Sequence, residues 1–203
     1  MQRVIFDFDV ISPYAYLAFE RLPSALEGLS HHVEYRPLLF AGLLKHWGNT
    51  APVAVAPKRA WLFRQCAWLA AQDGIAFVPP PHPFNPLALL RLLVASAPAG
   101  GHPNRRAVEL AYRHVWARDG SDANDPEALK ALTDAIAPVR DPASPEVKAE
   151  LQARTAQAAA DGVFGVPSFR LEDGQLFWGT DSMAMLADAM LRRQGGSGAV
   201  HGG

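Results

Sequence analysis

The chain has 203 residues, of which 49% are hydrophobic and 19% are charged, and its formal net charge is −1. This length and composition suit one globular domain, or one domain with an insertion. The near-neutral charge, without a basic stripe, argues against nucleic acid as a partner. Apolar runs are short and the first residues already have a strand pattern, so we expect no membrane span, no secretory signal and a cytoplasmic location.

Residues 4–9 have a strand pattern that ends before Ser12 and Pro13. Serine at the N-cap and proline at the first helical position are a strong helix start. A second strand is predicted over residues 32–38. A strand, a helix and a strand within about forty residues indicate a parallel pair of strands.

The middle of the chain is predicted to be helical over 58–73, 86–96, 104–118, 127–137 and 145–161, with proline- and glycine-containing breaks. The proline-rich stretch 79–86 is a stiff loop in this interpretation. Strands are predicted over 166–171 and 175–178, joined in a hairpin by the turn at Asp173-Gly174. A helix over 181–193 and a flexible tail over 195–203 complete the chain.

The predicted order is β-α-β, a helical block, then α-β-β-α, which indicates an α/β protein. It is the order of a thioredoxin-like domain interrupted by a helical insertion. We therefore expect a discontinuous thioredoxin-like domain over 1–40 and 160–194, and an inserted helical domain over 41–159.

The predicted strand-to-helix turn carries Ser12-Pro13-Tyr14-Ala15. Thioredoxin-like redox proteins have Cys-x-x-Cys at such a turn, where the helix N-terminus stabilises a thiolate. Ser12 and Ala15 occupy the two cysteine positions, so dithiol exchange by this pair is excluded. The Ser12 hydroxyl can instead donate a hydrogen bond to the thiolate of a ligand, or it can simply cap its own helix.

The single cysteine, Cys66, lies in a predicted helix and allows no internal disulfide. This fits a reducing compartment. A lone helical cysteine is usually a small core residue, so we do not expect Cys66 to be a nucleophile. The seven histidines show no metal-ligand spacing, and no metal site is predicted.

Two further motifs lie in the last third of the chain. Residues 162–169 place two glycines and Val166-Pro167 before a strand, and a cis bond there would turn the Val166 N–H and C=O outward to pair with an extended peptide. An ordinary entry into an edge strand is the alternative. Thr180 is predicted to cap the last helix, with Asp181 in its first turn, where the N–H groups bind anions and Asp181 can pair with an ammonium group.

In this order the motifs resemble those of the 2-hydroxychromene-2-carboxylate isomerase family and the related kappa-class glutathione transferases. The resemblance covers most of the chain. It rests on Phe6-Asp7-Phe8, Ser12-Pro13-Tyr14-Ala15, Arg36-Pro37-Leu38-Leu39, Gly42, Lys45, Gly48-Asn49, Lys58, Phe84-Asn85-Pro86, Gly162-Val163-Phe164-Gly165-Val166-Pro167-Ser168-Phe169 and Phe177-Trp178-Gly179-Thr180-Asp181.

The resemblance implies that glutathione is the cofactor. Val166 before a cis Pro167 would hold its cysteinyl backbone, and Ser12 would face its sulfur. The remaining implied contacts are Asn49, Thr180, Asp181 and Ser182 for glutathione, and Tyr14, Lys45, Trp47 and Asn85 for a small aromatic substrate.

The implied reaction interconverts 2-hydroxychromene-2-carboxylate and trans-o-hydroxybenzylidenepyruvate, in aromatic catabolism such as naphthalene degradation. The thiolate adds, the ring opens, a single bond rotates and the thiol leaves, so glutathione is regenerated. The resemblance also implies a homodimer. The alternatives are a kappa-like transferase that consumes glutathione and a cysteine-less thioredoxin-like module that binds peptides.

The chain departs from the family pattern at three positions. Gln65 and Trp68 stand where the family often has aspartate and arginine, and Ser182 stands where arginine often follows Asp181. The first two changes bear on the identity of the substrate. The third removes an ion pair near the γ-glutamyl end of glutathione.

Overall fold

The computed structural model describes residues 1–196, which form one four-stranded sheet and eight α-helices. The elements in chain order are β1 (Gln2–Phe8), α1 (Pro13–Ala25), β2 (His31–Pro37), α2 (Phe40–His46), α3 (Ala56–Gln72), α4 (Leu87–Ala95), α5 (Arg105–Trp116), α6 (Pro126–Ile136), α7 (Pro145–Ala160), β3 (Ser168–Leu171), β4 (Leu176–Trp178) and α8 (Met183–Gly196).

The sheet has the strand order β2-β1-β3-β4. Strands β1 and β2 are parallel, and β3 is antiparallel to both β1 and β4. The predicted parallel pair, the hairpin and the α/β class are therefore confirmed. Gly174, at φ +84°, allows the tight turn between β3 and β4 because glycine has no Cβ to obstruct a left-handed backbone.

The helical block packs onto the sheet through buried aromatic rings. The Tyr112 ring of α5 lies 5.5 Å from Phe8, 5.6 Å from Tyr16 and 5.2 Å from Phe19, measured between ring centroids. The Trp116 indole N–H donates to the carbonyl oxygen of Val10 at 2.9 Å. Helix α5 thereby fixes the turn between β1 and α1.

A buried ion pair joins the end of α7 to the sheet. The Arg170 guanidinium donates to Asp7 at 2.6 Å and to Asp161 at 2.6 Å. Burial raises the pKa of the Asp7 carboxyl, and the charge of Arg170 opposes that rise. Because Asp7 is only 1% exposed, it depends on Arg170 for compensation of its charge.

Helix α2 and the boundaries of α8 differ from the sequence predictions. Helix α2 was not predicted, and α8 continues through Gly195 and Gly196, where the tail was expected to begin. The rest of the expected tail, residues 197–203, lies outside the described residues. Helices α2 to α7 occupy the range of the predicted insertion, and its status as a separate domain stays a prediction. None of the described helices is long and apolar enough to cross a membrane.

Candidate active site

Three sequence motifs meet at one end of the sheet because of the strand register. Strand β1 ends at Phe8 and leads to Ser12, and its residue Asp7 pairs with Ser168, the first residue of β3. Ser168 in turn pairs with Trp178, the last residue of β4. The Ser12 turn, the Pro167 loop and the turn after β4 therefore lie at the same end of the sheet.

The Ser12 turn is held by the buried carboxylate of Asp9. One of its oxygens accepts from the Ile11 N–H at 3.0 Å and the other from the Phe40 N–H at 2.8 Å. Burial raises the pKa of Asp9 to about 7, and the two N–H donors oppose the rise. Asp9 thus links the start of α1 to the start of α2.

Ser12 is the N-cap of α1, with Pro13 at the first helical position, as predicted. Its Oγ accepts from the Ala15 N–H at 3.2 Å, and the residue is 9% exposed. Among residues 1–196 no group accepts the proton of its hydroxyl. Capping the helix therefore leaves Ser12 free to donate one hydrogen bond.

The Val166–Pro167 peptide bond is cis, as predicted. Val166 is 8% exposed, and neither its N–H nor its C=O bonds to any group in the described part of the chain. The Pro167 carbonyl accepts from the Gly179 N–H at 2.9 Å, which joins this loop to the turn after β4. Val166 therefore has one backbone donor and one backbone acceptor that are unpaired within the described residues.

Gly165 allows Trp178 to pack closely against this loop. A Cβ at Gly165 would lie 2.5 Å from the Trp178 Nε1 atom. The Phe164 and Trp178 rings also pack together, with their centroids 5.0 Å apart. A glycine at residue 165 is thus required for this arrangement of the loop.

The prediction that Thr180 caps the last helix is wrong. A 3₁₀ turn, Thr180–Ser182, separates β4 from α8, and its N-cap is Gly179 without any side-chain cap. The Ser182 hydroxyl donates to the Gly179 carbonyl at 2.8 Å, which stabilises the turn internally. Gly179 has φ +89°, and a Cβ there would lie 2.5 Å from Asp181 Oδ1. Glycine therefore leaves room for the exposed Asp181 carboxylate.

Tyr14, in the first turn of α1, lies close to α3 and to Asp181. Its hydroxyl donates to Gln65 Oε1 at 2.6 Å. Burial, with smaller contributions from Cys66 and Asp181, raises the pKa of Tyr14 to about 12, so the phenol stays protonated. Helix α1 also packs against the 3₁₀ turn. The 3₁₀ turn that carries Asp181 therefore lies against the helix that carries Tyr14.

Trp47 and Asn49 follow the end of α2. The Trp47 indole N–H donates to the Val163 carbonyl at 2.9 Å, which ties this segment to the loop before Val166. The Asn49 side-chain oxygen Oδ1 accepts from the Thr50 N–H at 2.8 Å, and the side chain is exposed. Its amide N–H₂ group makes no bond within residues 1–196.

The proline-rich loop reaches the Ser12 turn through His82, a residue to which the sequence analysis gave no role. His82 Nε2 lies 3.2 Å from the Ile11 carbonyl oxygen, and burial lowers the pKa of the imidazole. A neutral His82 therefore donates from Nε2 to Ile11. The exposed Asn85 accepts from the Leu87 N–H at 3.0 Å. The sequence pointed to this loop through the rigidity expected of its prolines and through the resemblance at Phe84-Asn85-Pro86, but not to His82.

Two other residues lie apart from this cluster. Lys45 lines a groove between α2, α4 and α7 whose lining includes none of Ser12, Tyr14, Val166 and Asp181. Cys66 is fully buried, and burial raises the pKa of its thiol to about 12. Its interpretation as a core residue is confirmed, and the thiol is not poised to be a nucleophile.

Residues 3–191 match the family of DSBA-like thioredoxin domains. The chain is 31% identical to 2-hydroxychromene-2-carboxylate isomerase of Sphingobium xenophagum, covering 94% of this chain and 98% of that protein. It is 28% identical to glutathione S-transferase kappa 1 of Homo sapiens, covering 89% and 87% of the two chains. A solved 2-hydroxychromene-2-carboxylate isomerase superposes with a TM-score of 0.81 at 24% identity, over 96% of this chain and 98% of that one.

The sheet order and the cis proline beside a strand-to-helix turn define a thioredoxin-like protein of the α/β class. The chain belongs to the DSBA-like thioredoxin family, within the group that contains the 2-hydroxychromene-2-carboxylate isomerases and the kappa-class glutathione transferases.

Proposed function

We propose that this protein is a glutathione-dependent isomerase that converts 2-hydroxychromene-2-carboxylate, or a similar aromatic-catabolic compound, by reversible addition of the glutathione thiolate. The proposal rests mainly on the convergence of Ser12, Val166 and Asp181 at one end of the sheet. These three residues offer a donor for sulfur, an open pair of backbone groups and a carboxylate for an ammonium group.

The thiol in this proposal must come from outside the chain. Cys66 is the single cysteine, and its buried thiol has a pKa raised to about 12, so it holds almost no thiolate near neutral pH. The N-terminus of α1 supplies a positive dipole end and the free Ser12 hydroxyl proton, both of which favour a thiolate placed there.

Glutathione has the groups that the site can hold. Its cysteinyl backbone can pair with the Val166 N–H and C=O, and its γ-glutamyl ammonium can pair with Asp181. Thr180, Ser182 and Asn49 border the same ligand in this arrangement. Tyr14, Trp47, Asn85 and Lys45 would contact the aromatic substrate, although Lys45 lines the groove between α2, α4 and α7.

The names of the relatives support an isomerase and a transferase alike. Relatives of both kinds match nearly the whole chain, at 31% and 28% identity. A kappa-like transferase that conjugates glutathione to electrophiles is therefore the second candidate. The two differ in the fate of the thiol, because only a transferase consumes it.

The experiment is an absorbance assay of 2-hydroxychromene-2-carboxylate conversion, with and without glutathione, combined with titration of free thiol. We expect conversion that requires glutathione and leaves the thiol concentration unchanged. Stoichiometric loss of thiol with an electrophile would favour the transferase. No turnover and no glutathione binding, with peptide binding beside Pro167, would favour a peptide-binding module.

Cys66→Ala is the matched control, since it removes the chain's own thiol. If the catalytic thiol belongs to glutathione, this variant keeps its turnover once its folding has been verified. Loss of turnover in a folded Cys66→Ala protein would contradict an external thiol. We further propose that the protein is a cytoplasmic homodimer, which sedimentation of the purified chain and localisation in cells would test.

A further inference from the structure

We infer that the groove between α2, α4 and α7 is a second ligand site, which binds an aromatic monocarboxylate. Its volume is about 700 Å³. Small-molecule sites have volumes of roughly 300–1,000 Å³, so a bicyclic ring system fits. This inference does not depend on the proposed use of glutathione, because none of the residues proposed to bind glutathione lines the groove.

The groove is bounded by one face of each helix. Helix α7 contributes a stripe at helical spacing that includes Lys148, Leu151, Thr155 and Ala159. Its floor is fixed, because the Leu39 N–H donates to Thr155 Oγ1 at 2.9 Å. Gly42 packs against Thr155 so closely that a Cβ would lie 2.8 Å from the Thr155 methyl carbon.

The charges in the groove are all of one sign. Lys45, Arg91 and Lys148 line it, and no aspartate or glutamate does. Within residues 1–196 none of these three cations has a carboxylate oxygen within 4.0 Å. By contrast, Arg140 and Arg154 in the same helical block both pair with Glu150.

Arg91 gives the most specific indication of the ligand that the groove binds. Its Nε atom is buried and has no hydrogen-bond partner among the described residues. Buried polar groups in proteins are nearly always hydrogen-bonded, so the unpartnered Nε–H leaves the guanidinium of this groove-lining arginine short of an acceptor. A carboxylate supplies that acceptor together with the opposite charge.

The apolar residues that line the groove favour a ligand whose uncharged part is also apolar. Leu39, Leu87, Leu151 and Ala156 present apolar surface between the cations. Such a surface favours an aromatic or hydrocarbon body over a sugar or a free phosphate, whose polar groups would lose their hydration without replacement. One carboxylate on a flat ring system matches both features.

The test is calorimetric titration of the full chain with 1-naphthoate and with its neutral analogue 1-naphthamide. We expect one naphthoate per chain, at least tenfold tighter than naphthamide, with an affinity unchanged by saturating glutathione. Arg91→Met should weaken naphthoate binding at least tenfold, and Lys148→Met should weaken it measurably. Ala156→Phe should weaken binding at least tenfold, because the added ring occupies part of the groove.

The matched controls lie outside the groove. Arg113→Met removes an exposed arginine paired with Glu109, and Ala153→Phe adds a ring to the exposed side of α7. Both should bind naphthoate like the parent protein, and circular dichroism verifies folding of every variant.

Three results would overturn the inference. One is equal binding of naphthoate and naphthamide, and another is displacement of naphthoate by glutathione. The third is that the parent protein binds no naphthoate. If Ala156→Phe then converts a dimer into monomers, a second copy of the chain covers the groove.

Discussion

Ser12 combines two tasks that the sequence alone presented as alternatives. Its Oγ accepts from the Ala15 N–H, while its hydroxyl proton has no acceptor among residues 1–196. A serine cap uses a lone pair and not its proton, so capping and stabilising a ligand's thiolate are compatible. The sequence predicted Ser12 at the start of the helix. It did not predict that the hydroxyl oxygen accepts a hydrogen bond while the hydroxyl proton stays available.

Replacing Ser12 should distinguish its contribution to helix stability from its effect on the thiol pKa of bound glutathione. Ser12→Ala should raise the apparent thiol pKa of bound glutathione toward the free value of about 8.5, and should lower the free energy of unfolding by about 1 kcal/mol. Ser144→Ala is the matched control, since Ser144 caps α7 before Pro145 and also accepts at 3.2 Å. That variant should lose similar stability with the thiol pKa unchanged, and equal thiol pKa shifts in both variants would remove Ser12 from the mechanism.

Asp9 should make stability depend on pH. Its folded-state pKa of about 7 lies above the ordinary value of 3.8, so the folded protein holds the proton more tightly than the unfolded chain. Relative to Asp9→Asn, the parent protein should therefore lose stability as the pH rises from about 4 to about 7, by up to about 1.4 kcal/mol per pH unit.

Urea unfolding of the parent and of Asp9→Asn at several pH values tests this expectation. A constant difference between the two proteins across the range would show that Asp9 does not titrate there. Asp9 and His82 were not predicted as site residues, because their importance comes from burial and from bonds to distant backbone groups.

At the scale of elements, the local sequence predicted those with strong terminal signals. Ser12, Asn104, Asp125 and Ser144 each cap the helix that follows by accepting from an N–H. Helix α2 has no side-chain cap and only seven residues. It is held by the Phe40 N–H bonding to Asp9 and the Leu39 N–H bonding to Thr155, both distant in sequence, which explains why local patterns missed it.

The turns before and after β4 offer a matched pair of glycines, Gly174 and Gly179. Gly179→Ala should lower stability by about 1 kcal/mol or more through strain at φ +89°, and should weaken glutathione binding because the new Cβ would displace Asp181. Gly174, at φ +84° with open space around it, provides the control.

Gly174→Ala should lose comparable stability, measured by urea unfolding, and should keep its glutathione affinity, measured by calorimetry. If the two variants bind glutathione equally well, the position of Asp181 does not matter for the ligand.

At the scale of the whole molecule, the register of the sheet determines the site. Sequence order predicted the strands and the α/β class. The three distant motifs lie at one end of the sheet because Asp7 pairs with Ser168 and Ser168 pairs with Trp178. The groove with Arg91 depends on three helices, α2, α4 and α7, that lie far apart in the sequence. Neither arrangement follows from local periodicity.

The Arg170 ion pair should be a major contributor to global stability. Arg170→Met leaves Asp7 buried without its partner and should lower the free energy of unfolding by about 3–5 kcal/mol. The double variant Arg170→Met/Asp7→Leu removes both charges and should recover much of the loss in denaturant unfolding. A double variant no more stable than Arg170→Met would mean that the loss comes from packing and not from the uncompensated charge.

The most direct measurement of the central claim is the ultraviolet thiolate absorbance of glutathione bound to the parent protein, followed as a function of pH. The expected result is saturable binding with an apparent thiol pKa clearly below the free value of about 8.5, because the α1 N-terminus and Ser12 favour the thiolate. Absence of binding, or a bound thiol that titrates like free glutathione, would contradict a thiolate site at Ser12.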